Sequence, residues 1–173
     1  LVILSQESFA QARSIQPTSE HSYVSEINVL LDFIDYSARS KRYTTQNYVI
    51  DPSTPTYIMR LIEHIEDLVD AVSQLYVGEN LSAYVLDCQA KIQGLYGDYS
   101  KALTSYDSML KRTDVAKPAV RRQIVWTIVR RHDGNWSDLS RREIERVRSL
   151  LEENLEEETR DSVSLRLWLR AIR

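Results

Sequence analysis

The sequence predicts an all-α fold of antiparallel helical hairpins, and three observations support this. Glycine and proline are scarce, with four of each in 173 residues, whereas a turn-rich β fold uses more of both. Apolar residues recur at helical spacing through most of the chain, most clearly over residues 58–75. No segment of the sequence alternates apolar and polar residues over the length of a strand, so no sheet is predicted.

The first three helices follow from apolar spacing and from proline. The first ends before Pro17, and the second has an apolar stripe over residues 19–41. A polar segment at residues 42–53 follows, which is longer than a standard repeat turn. Proline is favoured in the first turn of a helix, so Pro55 marks the start of the third helix. This helix has the clearest amphipathic face of the chain and ends near residue 76.

Caps and breaks define the other five helices. Gly97 ends the fourth and Pro118 opens the sixth. The seventh has the strongest local signal, because Ser140 and Glu143 have the spacing of a capping box. The eight predicted helices cover about residues 1–15, 19–41, 55–76, 81–96, 98–111, 118–132, 140–155 and 161–173.

The most informative segment is the turn between the fourth and fifth helices. Gly97 suits a left-handed helix end, and Asp98 can cap the helix that follows. Ala102 and Tyr106 are four residues apart and share a face, where the small residue leaves room for a neighbouring helix. Together with Tyr99, these residues resemble the second helix of a tetratricopeptide repeat.

A second match to the same repeat lies near the start of the chain, where Phe9, Ala12 and Pro17 keep the family's spacings. Met109 and Asp114 stand where the family has a small residue and a proline. The matches also depart from the family's period of about 34 residues. Two interpretations stay open: a divergent repeat array with insertions, or an unrelated helical bundle with a similar pattern.

The resemblance implies a right-handed superhelix that acts as a non-catalytic interaction scaffold over residues 1–173. Its partner would be a protein or peptide, or another domain of the same chain, held by groove aromatics and selected by charge. The apolar residues of the eighth helix need a partner surface, so we expect a fragment of a larger multidomain protein. Such arrays often follow nucleotide-binding domains in immune and defence proteins, which implies a sensor or regulatory role.

Composition and motifs argue against several other functions. Cys88 is the one cysteine, and His21, His64 and His132 lack metal-ligand spacing. The sequence contains neither a dinucleotide-binding nor a phosphate-binding glycine motif, and no apolar run approaches the roughly 18 residues of a membrane span. We therefore expect no enzymatic activity, no cofactor, no metal, no membrane contact and a cytoplasmic location.

Two groups of acidic side chains are interpreted as solvent-exposed helix faces. The first group is Glu63, Glu66, Asp67 and Asp70 on the third helix, and the second lies at residues 152–158 on the seventh. Paired carboxylates serve acid–base chemistry only in a desolvated cleft. Their spacing here predicts a hydrated surface.

Basic side chains concentrate in the last third of the chain. Residues 1–110 carry 7 Lys and Arg against 14 Asp and Glu, whereas residues 111–173 carry 15 against 11. Arginine binds phosphate and carboxylate through paired hydrogen bonds, so the alternative function is nucleic-acid or acidic-partner binding. The other interpretation is helix-face charge paired with neighbouring glutamates. The candidate residues are Arg121, Arg122, Arg130, Arg131, Arg141 and Arg142.

Overall fold

The computed structural model describes residues 2–40, 50, 53–76 and 81–172, with side chains described for all of these except 2–5, 35 and 38–40. Within these ranges the chain forms eight α-helices and no strand, which confirms the predicted all-α fold. The helices are α1 (Val2–Ile15), α2 (Glu20–Ser40), α3 (Thr56–Gln74), α4 (Ala83–Leu95), α5 (Tyr99–Leu110), α6 (Lys117–Arg130), α7 (Arg141–Glu157) and α8 (Ser162–Ala171).

The predicted helix boundaries lie close to those of the structure because local signals set them. The capping box is confirmed: Ser140 Oγ accepts from Glu143 N, and the Glu143 carboxylate accepts from Ser140 N at 2.8 Å. Pro118 lies in the first turn of α6 as predicted. The predicted side-chain cap at Asp98 is wrong. Asp98 occupies the N-cap position of α5, but its carboxylate accepts from Lys101 Nζ at 2.7 Å and caps no backbone N–H.

Two predicted breaks fall mostly outside the described residues. The segment 42–53 is described only at residues 50 and 53, and the segment 77–80 is not described. The Ile50 N–H donates to the Leu95 carbonyl at the end of α4 over 2.8 Å. A short 3₁₀ turn, Trp136–Asp138, has no counterpart among the predicted helices.

Gly97 has a backbone conformation that favours glycine. Its φ is 75°, a region that a Cβ atom disfavours. The N–H of Gly97 donates to Gly94 O over 3.2 Å, and the N–H of Asp98 donates to Gln93 O over 2.8 Å. These two bonds form a Schellman motif, which ends α4 and turns the chain into α5.

Each helix packs chiefly on its neighbours in sequence, and α2 also contacts α4. Buried apolar side chains form two cores. The C-terminal core is built from α4 to α8 and includes Ala102 and Tyr106 of the repeat-like segment. The N-terminal core consists of Val24, Ile27, Leu30, Ile34, Ile58, Ile62, Ile65, Leu68, Val69, Cys88 and Ile92.

Helix α4 belongs to both cores. Cys88 and Ile92 are buried in the N-terminal core, whereas Ala83 and Ala90 are buried in the C-terminal core. Side chains between these two buried faces remain accessible, including those that α4 presents beside α3. None of the described helices is long and apolar enough to cross a membrane.

Candidate functional site

A groove with a cavity volume of about 570 Å³ lies between α3 and α4, and we call it the acidic groove. Val69 and Ile92 form its apolar floor, with exposed fractions of 5% and 7%. Its other lining side chains are carboxylates on α3 and amides on α4. These are Glu63, Glu66, Asp67, Asp70, Gln89 and Gln93.

The sequence builds the groove by helical periodicity. The four carboxylates of α3 have the spacing i, i+3, i+4, i+7, which brings them onto one face of the helix. The other face of α3 is buried in the N-terminal core through residues such as Ile62 and Ile65. Gln89 and Gln93 are four residues apart and stand one turn from each other on α4. The groove therefore has one acidic wall and one neutral polar wall.

The carboxylates of the acidic groove are not neutralised within the described chain. No described Lys, Arg or His forms an ion pair with Glu63, Glu66, Asp67 or Asp70. Tyr96 lies at the end of α4, with 40% of its surface exposed. Partial burial, a hydrogen bond to Glu66 and the nearby negative charge raise the pKa of Tyr96. The groove therefore concentrates negative charge above an apolar floor.

The sequence interpretation of these carboxylates was incomplete. It predicted a hydrated helix face, and three of the four carboxylates are exposed while Glu66 is half-buried. It missed the α4 wall that turns the face into a groove. One signal was available in the sequence. Arg60 is the one Lys or Arg in α3, so the acidic residues lack the i+4 basic partners typical of a solvated helix face.

A second, smaller cavity of about 250 Å³ lies between α4 and α6. Its acidic residues are Asp87 and Asp114, which pair with Lys91 and Arg112, each at 2.7 Å. Tyr84 stands at this cavity with 66% of its surface exposed. Because its carboxylates are already paired, this cavity lacks the uncompensated charge of the acidic groove.

The six candidate arginines were predicted to form either a binding surface or helix-face ion pairs. Arg121 is buried, with 6% of its surface exposed, and pairs with Glu153 at 3.0 Å and Glu157 at 2.7 Å. Arg122 pairs with the buried carboxylate of Asp161. These two side chains of α6 therefore hold α7 and the start of α8, and they are not free to bind a phosphate.

Two further candidate arginines are also paired. Arg131 forms an ion pair with Glu143, and Arg141 pairs with Glu145 one turn along α7 at 2.9 Å. The remaining two, Arg130 and Arg142, form no ion pair with a side chain that the structure describes. Arg142 is exposed and has no partner among the described side chains, and the Nε atom of Arg130 is buried without a hydrogen bond.

The repeat-motif residues divide between the two matches. In the second half of the chain, Ala102 and Tyr106 are 1% and 2% exposed in the C-terminal core, and Tyr99 is half-buried beside them. In the match near the start of the chain, Ala12 and Pro17 are exposed and Phe9 is half-buried. The small residue of the segment from Gly97 to Tyr106 is thus buried, whereas the small residue at Ala12 is exposed.

Ser140, Glu143 and His132 lie together but in the wrong order for a nucleophilic triad. In such a triad a histidine stands between the hydroxyl and the carboxylate. Here Glu143 is central: it accepts from Ser140 Oγ at 2.6 Å and contacts His132 Nε2 at 2.9 Å. Partial burial alone would raise the pKa of Glu143. Hydrogen bonds from Ser140, His132 and Arg131 instead hold this pKa far below its usual range. The cluster caps α7.

The other reactive side chains also have structural positions. Burial, followed by the charge of Asp87, raises the pKa of Cys88 to about 12, so the thiol stays protonated. His64 Nε2 lies 3.0 Å from Glu26 Oε1 in the N-terminal half, and His21 is exposed. Within the described ranges, no group of three or more His, Cys, Asp and Glu is placed to hold a metal ion.

No protein-family model matches the chain, and neither the curated proteins nor the solved structures include one similar to it. The tetratricopeptide resemblance therefore stays a prediction. The chemistry of the acidic groove is an apolar floor, glutamine amides on one wall and, on the other, carboxylates without an ion-pair partner among the described side chains.

Proposed function

We propose that the chain is a non-catalytic interaction module and that its acidic groove holds a basic segment of a protein partner or of another part of the same protein. The acidic groove carries the proposal, because it combines uncompensated charge with an apolar floor. An apolar side chain of the segment would cover Val69 and Ile92, and flanking Lys or Arg would meet the α3 carboxylates. Burial of the apolar anchor supplies affinity, and charge supplies selectivity.

The glutamine wall gives the bound segment a second means of orientation. Gln89 offers both donors and an acceptor, and Gln93, whose Oε1 accepts from Ser105 Oγ at 3.3 Å, offers its amide donors. Both can therefore hydrogen-bond the main chain of an extended or helical peptide. While its carboxylates are ionised, the α3 wall offers acceptors and no donors. A neutral peptide of the same shape would satisfy the amides and leave the carboxylates unpaired. The groove is therefore selective for positive charge.

The test is a peptide titration followed by fluorescence anisotropy. The probe is a labelled peptide of about 15 residues with leucines at helical spacing flanked by arginines, and its counterpart has every arginine replaced by glutamine. Asp67→Asn with Asp70→Asn removes two exposed charges of the groove and conserves side-chain shape. We expect about threefold to tenfold weaker binding of the arginine peptide, since exposed charge pairs contribute modestly.

The matched control is Glu156→Gln with Glu158→Gln. Both residues are exposed at the end of α7, outside the groove, and the variant removes the same total charge. We expect wild-type affinity for this control. Equal weakening in both variants would mean that the peptide responds to net charge alone, and the groove proposal would then be abandoned.

The alternative of nucleic-acid binding has to account for the ion pairs of the arginines. Reversing the charge of Arg121 or Arg122 would break contacts inside the C-terminal half and disturb folding as well as any binding. Arg142 is the informative position, since it is exposed and without a described partner. Saturable, salt-sensitive binding of RNA or DNA that is lost in Arg142→Glu would favour this alternative.

We also propose a cytoplasmic setting for the module. Cys88 is a free thiol buried in the N-terminal core, and unpaired buried thiols are common in proteins of reducing compartments. A groove selective for a basic segment also fits the regulatory or sensing part of a larger defence protein, as the repeat resemblance implies. Fractionation of cells expressing the tagged full-length protein would test the setting.

A further inference from the structure

Helix α8 carries an apolar face that the described chain leaves uncovered. Leu165, Leu169 and Ile172 have the spacing i, i+4, i+7, and their exposed fractions are 44%, 43% and 42%. We call these three residues the α8 stripe. The face of α8 that packs on α7 is a different one, formed by buried residues such as Leu167 and Ala171. The stripe is therefore surplus to the packing of α8 within the C-terminal core.

The α8 stripe is flanked by positive charge. Arg166 and Arg170 directly follow Leu165 and Leu169 in sequence, and both are exposed. Arg166 Nε donates to the carbonyl of Ser162 within the helix at 3.2 Å. Neither arginine forms an ion pair with any side chain that the structure describes. In this respect they differ from the paired arginines of α6.

The α8 stripe and the acidic groove are complementary in chemistry. The groove has an apolar floor beside four carboxylates, and the stripe has three apolar side chains beside two arginines. Neither set of charges has an ion-pair partner among the described side chains. The charge of the whole chain has the same polarity, with an acidic excess in residues 1–110 and a basic excess in residues 111–173. In the packing order, α5, α6 and α7 separate α4 from α8. A contact between the two surfaces therefore needs two copies.

We propose that the α8 stripe of one copy docks in the acidic groove of a second copy, so that the chain associates head to tail. This rests on the proposed function, in which the groove takes a basic segment with an apolar anchor, and it names that segment. Pairing of two stripes with each other is disfavoured because it would bring together the arginines of both copies. A head-to-tail contact leaves one groove and one stripe free at the ends, so it extends into longer chains or closes into rings.

The contact is small, so weak and salt-sensitive association is expected. One helix in one groove lies below the roughly 1,200 Å² of total buried area found in stable complexes. Sedimentation velocity of the full chain up to about 200 µM, at about 50 mM and about 500 mM salt, covers the range in which charge screening changes. We expect the average mass to rise above that of the 20.1 kDa monomer at low salt and to return to it at high salt.

Two charge-reversal variants then identify the surfaces. The groove variant is Asp67→Lys with Asp70→Lys, and the stripe variant is Arg166→Glu with Arg170→Glu. All four residues are exposed, so both variants are expected to keep the wild-type circular dichroism spectrum. Each variant alone should remain monomeric. Mixed, they should associate again, because the intact stripe of the groove variant meets the intact groove of the stripe variant. The lysines of the reversed groove also attract the glutamates of the reversed stripe.

A control variant and three further outcomes test the head-to-tail contact. Glu156→Lys with Glu158→Lys reverses the same amount of charge outside both surfaces and should associate as the wild type does. A groove variant that still dimerises alone would show stripe-to-stripe pairing and overturn the proposal. Absence of association at low salt would overturn it as well. If the arginine peptide still required the groove in that case, the proposed function would stand without this partner.

Discussion

The two halves of the chain use charged side chains in opposite ways. In the C-terminal half, Arg121, Arg122 and Arg131 pair with carboxylates of the same half and join α6 to its neighbours. In the N-terminal half, the carboxylates of α3 remain without ion-pair partners among the described residues and line a groove. The half that is rich in arginine therefore pairs more of its charged side chains internally. Local charge excess in a sequence does not by itself locate a binding surface.

The two halves also differ in how their buried polar side chains are connected. The C-terminal core contains a connected polar network, in which the fully buried Asn154 donates to Pro118 O and Ser164 Oγ, each at 3.0 Å, and accepts from Arg121 at 3.2 Å. Ser164 in turn donates to Asp161 at 2.6 Å. Among the described residues of the N-terminal half, the one buried carboxylate is Glu26, at 1% exposure. In the C-terminal half, stability depends on several polar side chains that share hydrogen bonds. In the N-terminal half, it depends on the one carboxylate of Glu26.

Reporters for the two halves are already present in the sequence. All three tryptophans, Trp126, Trp136 and Trp168, pack against the C-terminal core. The single cysteine, Cys88, is buried in the N-terminal core. Intrinsic fluorescence and thiol labelling therefore follow different halves of one molecule without added probes.

The largest effect is expected from Asn154→Ala. The substitution removes three hydrogen bonds at a fully buried position and leaves the Ser164 and Arg121 groups without one of their partners. We expect the free energy of unfolding to fall by about 3 kcal/mol, from lost bonds and the cavity left behind. Urea unfolding followed by tryptophan fluorescence measures it. A loss of under about 1 kcal/mol would contradict the network's role.

The second largest effect is expected from replacing the buried carboxylate of Glu26 in the N-terminal half. Glu26 pairs with Arg13 of α1 and contacts His64 of α3, so Glu26→Leu leaves both bases without their carboxylate. Because Arg13 and His64 are partly exposed, at 17% and 36% of their side-chain surface, water compensates in part. We expect a loss of about 2 kcal/mol.

Thiol labelling separates this effect from a general loss of stability. Cys88 has no exposed surface and its pKa is raised to about 12, so labelling in the native state requires opening of the N-terminal core. Glu26→Leu should raise the labelling rate about 30-fold, the equivalent of 2 kcal/mol in the opening equilibrium. Asp32→Leu, at an exposed position of the same helix, is the control and should label at the wild-type rate.

Local signals in the sequence predicted the helices well and tertiary contacts poorly. Gly97 and the Ser140–Glu143 box fixed helix ends because their bonds join residues close in sequence. The burial of Glu26 and Arg121 was missed, because their partners lie 13 to 38 and 32 to 36 residues away respectively. The acidic groove was missed for the same reason: its acidic wall was visible on α3, but the wall from α4 depends on packing.

The smallest effect concerns acid stability, and it is assigned to the C-terminal half. Burial alone would raise the pKa of Asp161, but hydrogen bonds from Ser164 and the charge of Arg122 lower it, and the pKa of Glu143 is lowered as well. A carboxyl group with a lowered pKa in the folded state stabilises the protein above its unfolded pKa, which is 3.8 for Asp161 and 4.5 for Glu143. That contribution is lost as the pH falls below these values.

The expected result is a steeper loss of stability between pH 5 and pH 3 in the wild type than in Glu143→Gln with Asp161→Asn, by about 1 kcal/mol. The variant is less stable at pH 7, because its amides cannot replace the charged acceptors of Arg131 and Arg122, and the two curves should converge as the acid is added. Urea midpoints from tryptophan fluorescence measure both. Parallel curves would mean that these two carboxylates do not control acid unfolding, and the assignment of acid sensitivity to the C-terminal half would fail. Convergence would show that the two halves also differ in their response to acid. The half that pairs its charges internally would be the half that loses stability when its carboxylates are protonated.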